Sequence, residues 1–225
     1  MSLAKVSPIA PEGKILSPDT DHVLGDRRFR ALLSDEKWDQ LPWRIRHRFS
    51  KRLAGGNTAI YIGEIVESYL SNAGWLLAQV LRLVGGPLPT SRDVNVPAVV
   101  SVTEDMRTGG QIWTRLYARR KGFPQVIHSA KRFEGRTGLE EYIGLGVGMR
   151  LRIDVADAAI VFRSAGYFIQ ILHRRFSLPE WAAPGQMSIT HAELGDGAFR
   201  FTLEVVHPWV GTLVRQTCAF RDAQT

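Results

Sequence analysis

The chain has 225 residues with a formal net charge of +7, 44% hydrophobic and 23% charged residues, and one cysteine. This composition excludes wholesale disorder and supplies enough apolar material for one large core. A lone Cys218 can form neither an internal disulfide nor a cysteine-rich zinc site, which predicts a reducing, cytoplasmic setting. The basic residues are scattered along the chain, an arrangement that argues against a specific nucleic-acid groove. No run reaches the roughly 20 apolar residues of a transmembrane helix, and the first 25 residues lack the order of a signal peptide.

Residues 1–24 read as a flexible N-terminal tail, because three prolines interrupt them and their apolar residues follow no period. Residues 25–225 read as a single α+β domain. In "DRRFRALL", Phe29, Leu32 and Leu33 fall on one helical face and Asp26 suits the cap. A basic amphipathic helix is predicted over 42–53. Pro42 suits its first turn, Ile45, Phe49 and Leu53 recur every four residues, and Arg44, Arg48, Lys51 and Arg52 fill the remaining surface. Such a basic face is either solvated or offered to an anionic partner. After a strand from Thr58 to about Ser68, Asn72 caps a helix near residues 73–84 that is apolar around most of its circumference. That helix is expected to be largely buried or to face a cavity.

Beyond Arg92 the apolar period changes to two. Strand-length runs such as "QIWTRLYA", "QVIHSAKRF", "AAIVFRS", "YFIQILHR", "QMSITHAEL" and "AFRFTLEVV" are separated by short, mostly glycine-bearing turns. Short turns imply antiparallel neighbours. So many in succession predict a long, strongly coiled meander, rolled into a barrel or half-barrel around or against the apolar helix.

"EEYIGLGVGMRLRIDV", residues 140–155, superficially suggests a dinucleotide fingerprint, but its third glycine comes one place early and a strand pattern follows it. Its odd positions continue one apolar series from Leu139 to Val155, and Gly144, Gly146 and Gly148 share the other face. The segment is therefore read as one unusually long strand, bared at its centre for a bend or for close approach of a ligand. Glu141 breaks the apolar series. In "QIWTRLYA", Trp113, Arg115 and Tyr117 share a face, and an arginine flanked by aromatics suits a carboxylate such as Glu141, or an anionic ligand. The alternative leaves both charges on the rim in water.

Six histidines occur, and His191 with Glu193 is the nearest approach to a metal pair, with fewer ligands than a site uses. Neither a metal nor a cofactor is called for. No nucleophile elbow, Walker loop or zinc-protease helix is present, although a triad assembled from distant strands stays open. Cys218 reads as a small core side chain, and Pro208 in "HPWVG" as a strand end.

The segments "FRALLSDEKWDQLPWRIRHRF", "QIWTRLY", "LEEYIGLGVGMRLRIDV", "AAIVFRSAGYFI", "LPEWAAPGQ" and "GDGAFRFTLEVVHPWVGTLVRQT" together resemble, in order, a bacterial family known as domain of unknown function 4166. The resemblance covers nearly the whole chain from Phe29. Members also occur fused behind nucleotide-binding reductase or epimerase-like domains, which implies an association with small-molecule metabolism. With no dinucleotide fingerprint read here, a redox role by resemblance would need a separate reductase-type protein. Ala158 stands in "DVADAAIVF" where the family commonly has glycine, and the family supplies no catalytic residues to transfer.

The leading expectation is an apolar or amphipathic small molecule bound in the concave side of the rolled sheet, without catalysis. Trp75, Trp113, Arg115, Tyr117, Glu141, Gly144 and Gly146 are its expected contacts. One alternative is an enzyme or accessory domain of a reductase- or epimerase-type system, using Glu141 or a strand histidine as general base. A further one is an interaction module working through the basic helix at 42–53.

Overall fold

Alternation over strand length lets each segment turn one face to a core and the other to water, and short turns place successive segments side by side. In a computed structural model, which describes residues 25–172 and 174–223, these segments close on themselves as an antiparallel barrel. Its strands are β1 (Ala59–Leu70), β2 (Pro97–Asp105), β3 (Gly110–Tyr117), β4 (Gln125–Arg132), β5 (Glu140–Gly144) and β6 (Val147–Ala156). They continue as β7 (Ala159–Ile171), β9 (Gln186–Gly195), β10 (Ala198–His207) and β11 (Gly211–Asp222). The short β8 (Arg174–Ser177) lies outside the ring and pairs only with the distal half of β7 among the described residues. β7 joins the two arms of the barrel by pairing with both β6 and β9. β11 pairs with β1, so the first and last strands form the closing seam. The predicted tail, residues 1–24, lies outside the described residues.

The segment at 140–155 is a hairpin, not one long strand. β5 ends at Gly144, Leu145 and Gly146 turn the chain with φ of 49° and 78°, and β6 returns. Positive φ at both turn residues matches the twist of antiparallel strands, which is why a glycine sits there. The alternation survives the reversal because the β5–β6 register shifts by one residue between Tyr142 and Gly144. The irregularity restores parity, so Glu141, Ile143, Val147 and Met149 all face the barrel interior. The opposite correction applies at "AAIVFRSAGYFI": β7 runs through "SAG" without interruption. Its register with β6 slips between Met149 and Leu151, opposite the Gly166 region, and pairing resumes on both sides.

The helical segments are shorter than predicted. Around Phe29 only a single 3-10 turn forms, Arg30–Leu32, and buried Asp26 instead accepts hydrogen bonds from the backbone and side chain of Arg28. A helix α1 (Asp35–Asp39), capped by Ser34, precedes α2 (Trp43–Phe49). α2 stops at Phe49, before the predicted residue 53. Arg48, expected on its solvated surface, is buried against β9 and β10, where its guanidinium carbon lies 3.8 Å from the centre of the Phe199 ring.

The apolar helix is α3 (Asn72–Leu81), extended by a 3-10 turn at Arg82–Val84. Its cap is Ser71, not Asn72: the Ser71 Oγ accepts from Gly74 N at 3.0 Å and donates to Leu213 O at 3.3 Å. At Gly74 a Cβ would lie 2.0 Å from Leu213 O, so glycine is what allows α3 to rest backbone to backbone on β11. The helix lies across the barrel end on one face only. Gly74 and Ala78 are buried and Leu77 and Leu81 face the cavity, whereas Trp75, Leu76, Val80 and Leu83 remain exposed, so of the two expectations for this helix the one that holds is that it faces a cavity.

Candidate functional site

Inward-facing residues of a barrel either fill it or enclose a cavity, depending on strand number and side-chain size. Here they enclose about 490 Å³. Its walls are mostly apolar, from Val100, Ile127, Met149, Phe201 and Leu213, with Leu77 and Leu81 of α3 across one end. Val80 and Val210 also line it and are 55% and 57% exposed, so the cavity opens between α3 and the β10–β11 turn.

The other end is sealed. Trp113 and Phe201 separate the cavity from a second space of only about 20 Å³, whose lining includes Phe29, Phe49, Gln111 and His191. Residues 26–53 cover this end through Phe29, which packs edge-on against Phe49 and Phe162, and through Arg48. Fully buried His191 stacks on Phe199 at 4.7 Å, and Arg48 Nη1 lies 2.9 Å from its Nε2. An arginine can only donate, so Nε2 accepts and the ring is neutral with its proton on Nδ1. Burial, reinforced by Arg48, holds the His191 pKa well below its ordinary value. Glu193 does not join His191 in a ligand pair. It faces Arg44 at 3.6 Å and Arg48 at 3.5 Å.

Three charged residues line the large cavity: Arg115, Lys131 and Glu141. They meet near the sealed end, because Gln111 of the small space, Lys131 and Glu141 form one cross-strand row over β3, β4 and β5. Lys131 Nζ lies 3.1 Å from Glu141 Oε2. Arg115 Nη2 donates to Ser129 Oγ at 3.1 Å and to Glu141 Oε1 at 3.4 Å. Lys131 also rests 4.7 Å above the centre of the Trp113 ring. Burial alone would raise the Glu141 pKa, but Lys131 and then Arg115 outweigh it and hold the carboxyl at about 2. Burial pulls the Lys131 pKa down, with Glu141 opposing the shift and Arg115 adding to it. Burial pushes the Tyr117 hydroxyl up, and it takes the Cys218 thiol, which also lines the cavity, to about 12.

Of the residues singled out from sequence, the fold brings Trp113, Arg115, Tyr117 and Glu141 together on the cavity wall. Trp75 is not among them. It is 49% exposed on the outer face of α3. Gly144 and Gly146 face the protein itself. A Cβ on Gly144 would meet Val84 O at 2.6 Å, and one on Gly146 would meet Gln170 O at 2.1 Å. Lys131 was missed, although the alternation of "QVIHSAKRF" already put it on the face of Ile127 and Ser129. Arg48 was missed because a helical wheel cannot say which cation will be turned inward.

Sequence comparison gives a family match described as "Domain of unknown function (DUF4166)", over residues 41–220. No curated protein and no solved structure matches the chain. No helix among the described residues is long and apolar enough to cross a membrane.

Proposed function

The chain belongs to the DUF4166 family, a domain of unknown function, and we propose that its barrel binds an apolar or amphipathic small molecule in the cavity that Trp113, Arg115, Tyr117 and Glu141 line. The observation that carries this reading is the cavity itself. It falls within the range of about 300–1,000 Å³ typical of small-molecule sites, it is apolar along most of its wall, and its few polar groups converge at one end. Apolar surface of this extent, left to water, forfeits the contacts that a matching ligand restores.

Binding is favoured over acid–base chemistry at Glu141. A general base works best with a pKa near the operating pH, whereas this carboxyl is held at about 2 by two neighbouring cations. Native mass spectrometry of freshly purified protein tests the reading, with a retained small-molecule adduct expected that organic extraction removes. An apo mass alone, together with no uptake of a hydrophobic fluorescent dye that quenches or transfers from Trp113, would overturn it.

A further inference from the structure

Two cationic side chains share one carboxylate at the sealed end of the cavity, and neither is saturated by its protein partners. A lysine ammonium has three donors and an arginine guanidinium five. Lys131 Nζ meets only Glu141 among the charged groups of the described residues. Arg115 places its hydrogen bonds through Nη2 alone, to Ser129 and Glu141, so Nε and Nη1 have no hydrogen-bond partner among the described residues. Arg115 and Lys131 both belong to the cavity lining, so the two cationic side chains border the space a ligand would fill. Among the described residues, no second carboxylate lines the cavity beside Glu141.

Resting on the binding function proposed above, we infer that the ligand is an amphipathic monoanion of the carboxylic acid class, its head group seated between Arg115 and Lys131 and its apolar body directed towards α3. A single negative charge is what two cations and one carboxylate leave unmatched. A planar carboxylate also suits the guanidinium fork, and charge-assisted hydrogen bonds are about twice as strong as neutral ones. The apolar body would then lie along Ile127, Met149 and Leu213 towards the opening beside Val80 and Val210. In this arrangement Glu141 fixes the two cations in place and limits the site to one charge.

The test holds the apolar body constant and changes only the head. Dodecanoate, 1-dodecanol and dodecyltrimethylammonium are titrated into delipidated full-length protein, with binding read by isothermal calorimetry below the concentrations at which they form micelles. Dodecanoate is expected to bind roughly tenfold or more tightly than the alcohol, and the cation most weakly, since each charge-assisted contact is worth at least a factor of ten. Lys131→Met and Arg115→Met should each collapse the ratio of acid to alcohol affinity. Glu141→Gln should raise affinity for the acid by freeing both cations, a gain that misfolding cannot imitate. Equal affinity for all three heads, or a preference for the ammonium, overturns this head-group assignment while leaving a binding barrel intact. Failure of all three to bind overturns the binding function itself.

Discussion

The two ends of this barrel are built from the same strands and do opposite things with them. At the sealed end, Phe29, Phe49, Phe199 and His191 interlock and leave room for no more than about 20 Å³. At the open end, α3 crosses the mouth but leaves about 490 Å³ beneath it. Phe199 and Phe201 at alternate positions of β10, with His191 of β9 and with Phe29 and Phe49 from outside the ring, fill one end, whereas the residues lining the other, among them Val100, Leu203, Met149 and Tyr117, leave the space between them open. A barrel therefore needs only a change of side-chain volume along its axis to become a base and a cup. The base supplies rigidity, and the cup keeps apolar surface unsatisfied.

The largest effect expected from this division is at the base. Phe199→Ala removes a fully buried ring outside the cavity lining and should cost about 3–5 kcal/mol, read as a lower urea midpoint. A loss under 1 kcal/mol would show that the base is not the stabilising end. A smaller effect concerns pH. His191 is held neutral by burial and by Arg48, so its folded pKa lies below the ordinary 6.5. Unfolded chains take up that proton first as pH falls. The stability from this group is thus complete above pH 6.5 and is lost as pH falls towards the folded value. His191→Phe should flatten that slope in denaturation series run between pH 7 and pH 5. The smallest effect is expected at the mouth, where Trp75→Ala on the outer face of α3 should change stability by no more than about 0.5 kcal/mol. It should also leave ligand affinity unchanged in the same titrations. A large change in either would mean that the outer face of α3 belongs to the site.

How much of this was legible in the sequence depends on what each pattern encodes. Period two records which face is buried, so the interior positions Trp113, Arg115, Tyr117 and Glu141 could be assigned to one side each. It does not record where a strand ends. The hairpin at Leu145–Gly146 was invisible because a register shift preserved the parity that a turn would otherwise break. Gly166 misled in the other direction: "SAG" has the composition of a turn, yet β7 keeps its pairing with β6 on both sides. Closure was equally hidden, since it rests on the β6–β7–β9 junction and on β1 meeting β11, and neither contact leaves a local trace. The partnership of Glu141 with Lys131 depends on strand register, which also stands outside any single segment.

The seam between β1 and β11 has a consequence for how the barrel is made. Tyr61 pairs with Asp222 and Leu70 with Val214, contacts that span most of the described chain. Long-range pairing of this kind is slow, because the entropy of closing the loop is lost before the contact gives anything back. While the polypeptide grows, β1 and β10 remain open edges waiting for the same final strand, which must pair with both. Birth of the barrel is therefore its last event, and the cup cannot hold anything until the two ends of the sheet have met.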